Sequence, residues 1–194
     1  MNNSGLILEI QGDYSGSLKR YNEAAIIFSK SGEESKLALS YTNLGNAYYN
    51  LGRFDKALDY LSQALKINET SGDSTSLSKS YNNIGNVFLS LKDFKVAIDY
   101  CHRAELINKR QKNLKSLSTS YSNLGIAMQS MGKFDEALDY NRLSIETARS
   151  VNDQMGIISS LLNIGNIYQE TGDYSQSLIN YREALRLSNN NYDG

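Results

Sequence analysis

The chain has 194 residues, with 20 Lys and Arg against 21 Asp and Glu, so its net charge of −1 gives no global attraction to nucleic acid or to an anionic membrane. Apolar residues make up 40%, which suffices for a packed core, proline is absent, and the lone cysteine, Cys101, excludes an internal disulfide framework and a cysteine-based zinc cluster. No stretch approaches the ~20 apolar residues of a membrane span, and the opening MNNSGLILEIQGDYSG lacks the basic start and apolar run of a secretory signal, so a cytoplasmic location is expected.

The sequence repeats itself every 40 residues. A clipped first copy covers about 1–30, where Asn3, Gly5, Gly12 and Tyr14 fall one period before Asn43, Gly45, Gly52 and Phe54; helices are predicted over 2–11 and 14–29. The second copy, 36–69, carries Tyr41, Leu44, Tyr48 and Leu51 on one helical face and then Phe54, Ala57, Leu58, Leu61, Ala64 and Leu65 on another. Its helices are expected at 36–51 and 54–69. The third copy, 76–109, predicts helices at 76–91 and 94–109; the fourth, 116–149, at 116–131 and 134–149; the last, 155–189, at 155–171 and 174–189. One array over 1–194 is the expected organisation.

Punctuation agrees with these boundaries. Asp13, Asp93 and Asp173 suit the N-cap of second helices, and Asp73 and Asp153 that of first helices. Gly52, Gly132 and Gly172 can take positive φ at the turn between paired helices. Lys92 stands at that position in the third copy, which implies that a left-handed residue is not required in every copy. Gly45, Gly85, Gly125 and Gly165 recur inside first helices, where glycine costs roughly 1 kcal/mol relative to alanine. Their register implies close helix approach, as do Ala57, Ala97 and Ala137 in second helices.

The pattern Tyr41, Leu44-Gly45, Tyr48, Ala57, Leu61 and Ala64, repeated along nearly the whole chain, resembles the tetratricopeptide repeat. The period is longer than that family's usual 34, and the closing proline is missing. Both departures are similar to the variety with an N-L-G-N phrase found in spindle-orientation adaptors, kinesin light chains and bacterial regulators. The tandem NLGN and NIGN phrases with GDY or GKFDEAL look most like bacterial sensor and regulator proteins. The resemblance implies an all-α fold, a right-handed α-solenoid of stacked antiparallel helix pairs, with first helices lining a concave groove. It also implies a scaffold that binds a protein or peptide, with no enzymatic activity and no cofactor.

On first helices, the face beside the core residues carries two rows of amides: Asn43, Asn83, Asn123 and Asn163, then Asn46, Asn86 and Asn166. Each amide can bond both N–H and C=O of a guest backbone. Tyr49, Asn50 and Asn82 flank the rows, and Ile126 interrupts the second one where an apolar ligand side chain would dock. In the resembling families the matching asparagines contact bound peptides. An in-register asparagine also suits a bond to a neighbouring helix, most of all in the first row. Only Lys79 is basic on this face, which argues against a clamp for terminal carboxylates.

The remaining candidates have plainer readings. His102 lacks ligand partners at a useful spacing, Cys101 points elsewhere on the same helix, and the pairs Asp55/Asp59 and Asp135/Asp139 read as a solvated outer face. The basic run Lys109, Arg110, Lys112 and Lys115 has no interleaved aromatics and reads as a loop, so no nucleic acid is expected. Of 14 tyrosines, most occupy repeat core positions, with Tyr49 facing the groove. Leu6, Leu8, Leu178 and Leu185 are expected to be exposed where the array lacks polar caps. This implies either a segment of a longer protein or self-association through the array ends.

Overall fold

The computed structural model describes residues 2–189, and among these every regular element is an α-helix. The ten helices are α1 (Asn2–Ile10), α2 (Tyr14–Ser31), α3 (Glu34–Asn50), α4 (Phe54–Ser71), α5 (Ser74–Ser90), α6 (Phe94–Gln111), α7 (Leu114–Ser130), α8 (Phe134–Ser150), α9 (Gln154–Glu170) and α10 (Tyr174–Asn189). Their ends lie within about two residues of the expected ones, the usual uncertainty of a helix boundary. The chain divides into two compact units, Met1–Leu91 and Lys92–Gly194. In the first, α2 packs on α1 and α3, and α4 on α3 and α5; in the second, α7 packs on α6 and α8, and α9 on α8 and α10.

The expected caps form. Asp13 accepts from Gly16 N at 2.8 Å, Asp173 from Gln176 N at 3.0 Å, Asp93 from Val96 N at 3.4 Å and Asp153 from Gly156 N at 3.3 Å. Asp73 takes two amides, those of Thr75 and Ser76, and the Ser76 hydroxyl as well, which holds its carboxyl below the usual range. Asn113 caps α7 through Ser116 N, which the sequence reading missed.

At Lys92 the backbone departs from the expected turn. Gly52 sits at φ 69°, with Gly52 N bonded to Tyr49 O and Arg53 N to Tyr48 O, both at 2.9 Å. Lys92 adopts the same left-handed backbone, φ 62°, without a glycine's freedom. Reversing the chain in so few residues demands that conformation in every copy, and an L side chain there is strained by roughly 1–2 kcal/mol. Lys92→Gly is therefore expected to raise stability by about 1 kcal/mol, after the entropy glycine adds to the unfolded chain. A urea midpoint that fails to rise would contradict this.

Four of the recurrent first-helix glycines, Gly5, Gly45, Gly125 and Gly165, each seat a side chain from the paired helix sixteen residues on. A Cβ on Gly45 would lie 2.5 Å from Leu61 Cγ, and one on Gly5 2.5 Å from Tyr21 Cε1. Gly125 stands in the same relation to Asn141, and Gly165 to Tyr181. Ala57, Ala97 and Ala137 are fully buried, as their spacing implied. Around these contacts, Tyr21, Ala25, Leu44 and Ala47 form the first unit's core with Tyr41 and Tyr60 against it. In the second unit, Cys101, Leu117, Tyr121 and Leu124 form one cluster, and Ile145, Leu161, Ile164 and Ala184 another.

Polar pairs join one repeat to the next. Asn68 Nδ2 donates to Ser80 Oγ at 2.9 Å in the first unit, and Asn108 Nδ2 to Ser120 Oγ at 3.2 Å in the second, all four residues being buried. Ser160 donates to Ser144, which donates to Ser118 O, each at 2.8 Å. The recurrence of Ser40, Ser80, Ser120 and Ser160 was the signal for this seam, although Ser40 pairs instead with Asn2 of α1.

Candidate functional site

In the first unit, the first helices α1, α3 and α5 enclose a hollow of ≈ 590 Å³. Asn43, Asn46, Asn83 and Asn86 line it, together with Tyr49 and Asn50 from α3. Leu6, Glu9 and Ile10 come from α1, and Tyr14 and Tyr21 from α2. Helical spacing of three puts Asn43 and Asn46 on one face, as it does Asn83 and Asn86. All four amides are half-buried and hydrogen-bond to no other described residue. They therefore present unpartnered donors and acceptors to whatever enters.

Glu9, Tyr21, Tyr49 and Asn50 of the hollow are already engaged. Glu9 accepts from Tyr21 Oη through Oε2 and from Asn50 Nδ2 through Oε1, both at 2.9 Å. Burial, and then the bond and charge of Glu9, push the Tyr21 phenol up, so it keeps its proton and remains the donor. Tyr49 faces the hollow as expected, leans on Phe54 with ring centroids 5.7 Å apart, and accepts from Ser90 Oγ at 3.1 Å. Asn50–Glu9 and Ser90–Tyr49 both join residues 41 apart, one repeat plus one position. Tyr49 and Asn50 thus tie adjacent first helices together as well as lining the hollow.

The second unit puts the matching positions to other uses. Asn163 Nδ2 donates to Ser122 Oγ at 3.1 Å and to Asn141 Oδ1 at 3.0 Å. Asn123 is only 6% exposed, and its buried Nδ2 has no hydrogen-bond partner. Ile126 is half-buried, and Asn166 is exposed, its Oδ1 accepting from Tyr181 Oη at 2.6 Å. Gln129 donates to Glu170 at 2.6 Å, again 41 residues apart. In the first unit Asn82, only 4% exposed, is also turned inward. Asn82, Asn123 and Asn163, expected on the groove face, are therefore placed as interior or inter-helix groups. Asn163 finds the polar Asn141 twenty-two positions back, whereas Leu61 stands twenty-two positions before Asn83.

Two notches recur 80 residues apart in sequence, one in each unit. One of ≈ 540 Å³ has Tyr41 and Tyr60 in its wall, and one of ≈ 380 Å³ has Tyr121 and Tyr140, the rings 6.0 and 6.3 Å apart. Glu105 borders the second, bridging His102 Nδ1 at 2.8 Å and Lys109 Nζ at 2.7 Å. Burial raises the Glu105 carboxyl, but the bonds from Lys109 and His102 outweigh it and hold the group below its usual range. Cys101 is buried away from His102, its thiol pushed up to about 12 by burial and the Glu105 charge, which leaves it an unreactive core group. Asp55, Asp59, Asp135 and Asp139 are exposed, and Asp139 pairs with Arg142. The basic run lies at the end of α6 and the start of α7, with Lys112 closing α6 in left-handed backbone. Leu6, Leu178 and Leu185 are exposed as expected, while Leu8 is half-buried against its neighbours. Among the described residues, no helix is long and apolar enough to cross a membrane.

Comparison with known proteins agrees with this architecture. The model of the tetratricopeptide repeat matches residues 1–70, 76–150 and 116–190. Kinesin light chain-related protein 3 of Arabidopsis thaliana is 37% identical over 54 residues, 28% of this chain and 8% of that protein. Tetratricopeptide repeat protein 6 of Homo sapiens is 35% identical over 66 residues, 34% of this chain and 12% of that one. The match thus spans only a small part of either relative. Among solved structures, BtubC (BKLC) from P. vanneervenii aligns over 95% of this chain and 76% of its own, with TM-score 0.76 and 22% identity. A Rap protein complexed with competence and sporulation factor aligns over 96% and 52%, with TM-score 0.87 and 17% identity. At such identities the likeness is one of fold. With helix pairs in a 40-residue rhythm, glycines seating the paired helix and a family match along nearly all its length, the chain belongs to the tetratricopeptide repeat family.

Proposed function

We propose that this chain is a scaffold segment of a larger bacterial signalling or regulatory protein, and that it holds an extended peptide or partner helix against the hollow of its first unit. The observation that carries this reading is the set of four half-buried amides, Asn43, Asn46, Asn83 and Asn86, that find no partner within the protein. None of their side-chain atoms is among the buried unpaired ones, so their donors and acceptors stay open to a guest. A peptide main chain, with an N–H and a C=O at each residue, supplies both complements. The exposed Leu6 and Ile10 beside them give apolar side chains a place to dock. The solved Rap protein holds competence and sporulation factor on the same fold, which accords with a guest-binding role here.

The test is a displayed library of random 12-residue peptides selected on the full chain, with affinities of the selected peptides measured by fluorescence anisotropy. Replacing Asn46 and Asn86 together with alanine should weaken binding about tenfold, since each lost bond is worth ~0.5–1.5 kcal/mol. Binding that ignores both changes, or a library that yields no binder, would sink the groove reading.

A second reading rests on the exposed apolar side chains of α1 and α10, including Ile10, Leu178, Ile179 and Leu185. In this reading the outer helices of two copies cover one another, giving a self-assembling module. Sedimentation at rising concentration separates the two, because a strict monomer argues against self-assembly.

A further inference from the structure

The hollow of the first unit holds one charge. Glu9 is half-buried, and each of its oxygens accepts a single bond from a neutral donor, Tyr21 Oη or Asn50 Nδ2. No lysine, arginine or histidine among the described residues pairs with it. The first helices of this unit supply few candidates. Helix α1 has no basic residue; α3 has Lys36, which is bound to Glu33; and α5 has Lys79, which is not among the residues of the hollow. Glu105, by contrast, borders a notch of the second unit and is paired with Lys109.

We propose that the guest is an extended segment carrying a lysine or arginine, whose cation closes on the Glu9 carboxylate while its main chain runs along the amides of Asn43, Asn46, Asn83 and Asn86. The proposal rests on the peptide reading above and adds the chemistry of the partner. Each oxygen of Glu9 keeps a free lone pair, so a cation binds without displacing Tyr21 or Asn50. Those two donors fix the carboxylate's position, so little side-chain freedom is lost on pairing. A charge already removed in part from water gains more from a counter-ion than an exposed one does. Leu6 and Ile10, one turn apart on α1, flank Glu9, so the residues beside the cation should be apolar. An acidic guest would meet the same carboxylate as repulsion, which gives selection by charge sign.

The library selection decides it. Peptides retained by the wild-type chain should be enriched in Lys or Arg at a fixed place beside an apolar residue, and changing that base to methionine should weaken binding about tenfold. Against Glu9→Gln, which removes the charge, keeps one of the two acceptor oxygens and adds no bulk, the basic and methionine peptides should bind alike; circular dichroism melting checks that the variant is folded. Retained peptides with no basic enrichment overturn the proposal, and so does a basic preference that survives Glu9→Gln. If those same peptides still lose affinity on Asn46→Ala with Asn86→Ala, the groove reading stands while the charge assignment falls. If they ignore the asparagines too, both fall. The enrichment on wild-type protein needs no variant, so a Glu9→Gln chain that failed to fold would still leave the inference open to refutation.

Discussion

Replacing Asn141 with alanine is expected to lower the stability of the chain by about 2–4 kcal/mol, combining a small cavity with the loss of one buried and one part-buried hydrogen bond. Asn141 is fully buried on Gly125, donates to Ala137 O at 2.8 Å, and accepts from Asn163. Leucine occupies the corresponding place over Gly45. Asn141→Leu should therefore recover most of the loss, because it refills the volume, while Asn163 keeps its bond to Ser122. Urea unfolding of the two variants checks this. An alanine variant as stable as wild type, or a leucine variant no better than alanine, would show that the Asn141 network contributes little.

Gly45→Ala should destabilise by about 1–3 kcal/mol, the usual range for overpacking a closed contact. Helix propensity alone gives the opposite sign, a gain of roughly 1 kcal/mol for alanine inside a helix. The structure decides between them. The new methyl would fall 2.5 Å from Cγ of Leu61, a side chain only 1% exposed, and would press on Ala57 O at 3.3 Å. A thermal midpoint above that of wild type would refute the packing account of the recurrent glycines.

The sequence alone determined the helices, their pairing and the residues at their close contacts. A 40-residue period samples the same environment repeatedly, so a residue demanded by packing, such as Gly45 or Ala57, returns in register and declares itself. The caps were legible for the same reason, since Asp73 acts on amides only two or three residues away.

The tertiary structure alone decided which members of a repeated row are free. Asn43, Asn83, Asn123 and Asn163 look alike in sequence, but their fates depend on residues far away in the chain. Asn163 meets Asn141, twenty-two positions back, because the second helix there carries an amide where Leu61 stands in an earlier copy. The 41-residue ties from Asn50 to Glu9 and from Ser90 to Tyr49 were likewise hidden, since they join positions that no single helix face relates. Lys92 shows the limit of reading by residue type: its side chain argues against a left-handed turn, and the geometry of chain reversal imposes one regardless. Local propensity and periodicity set what each segment forms, while the pairing of polar groups depends on which neighbours packing brings within about 3 Å.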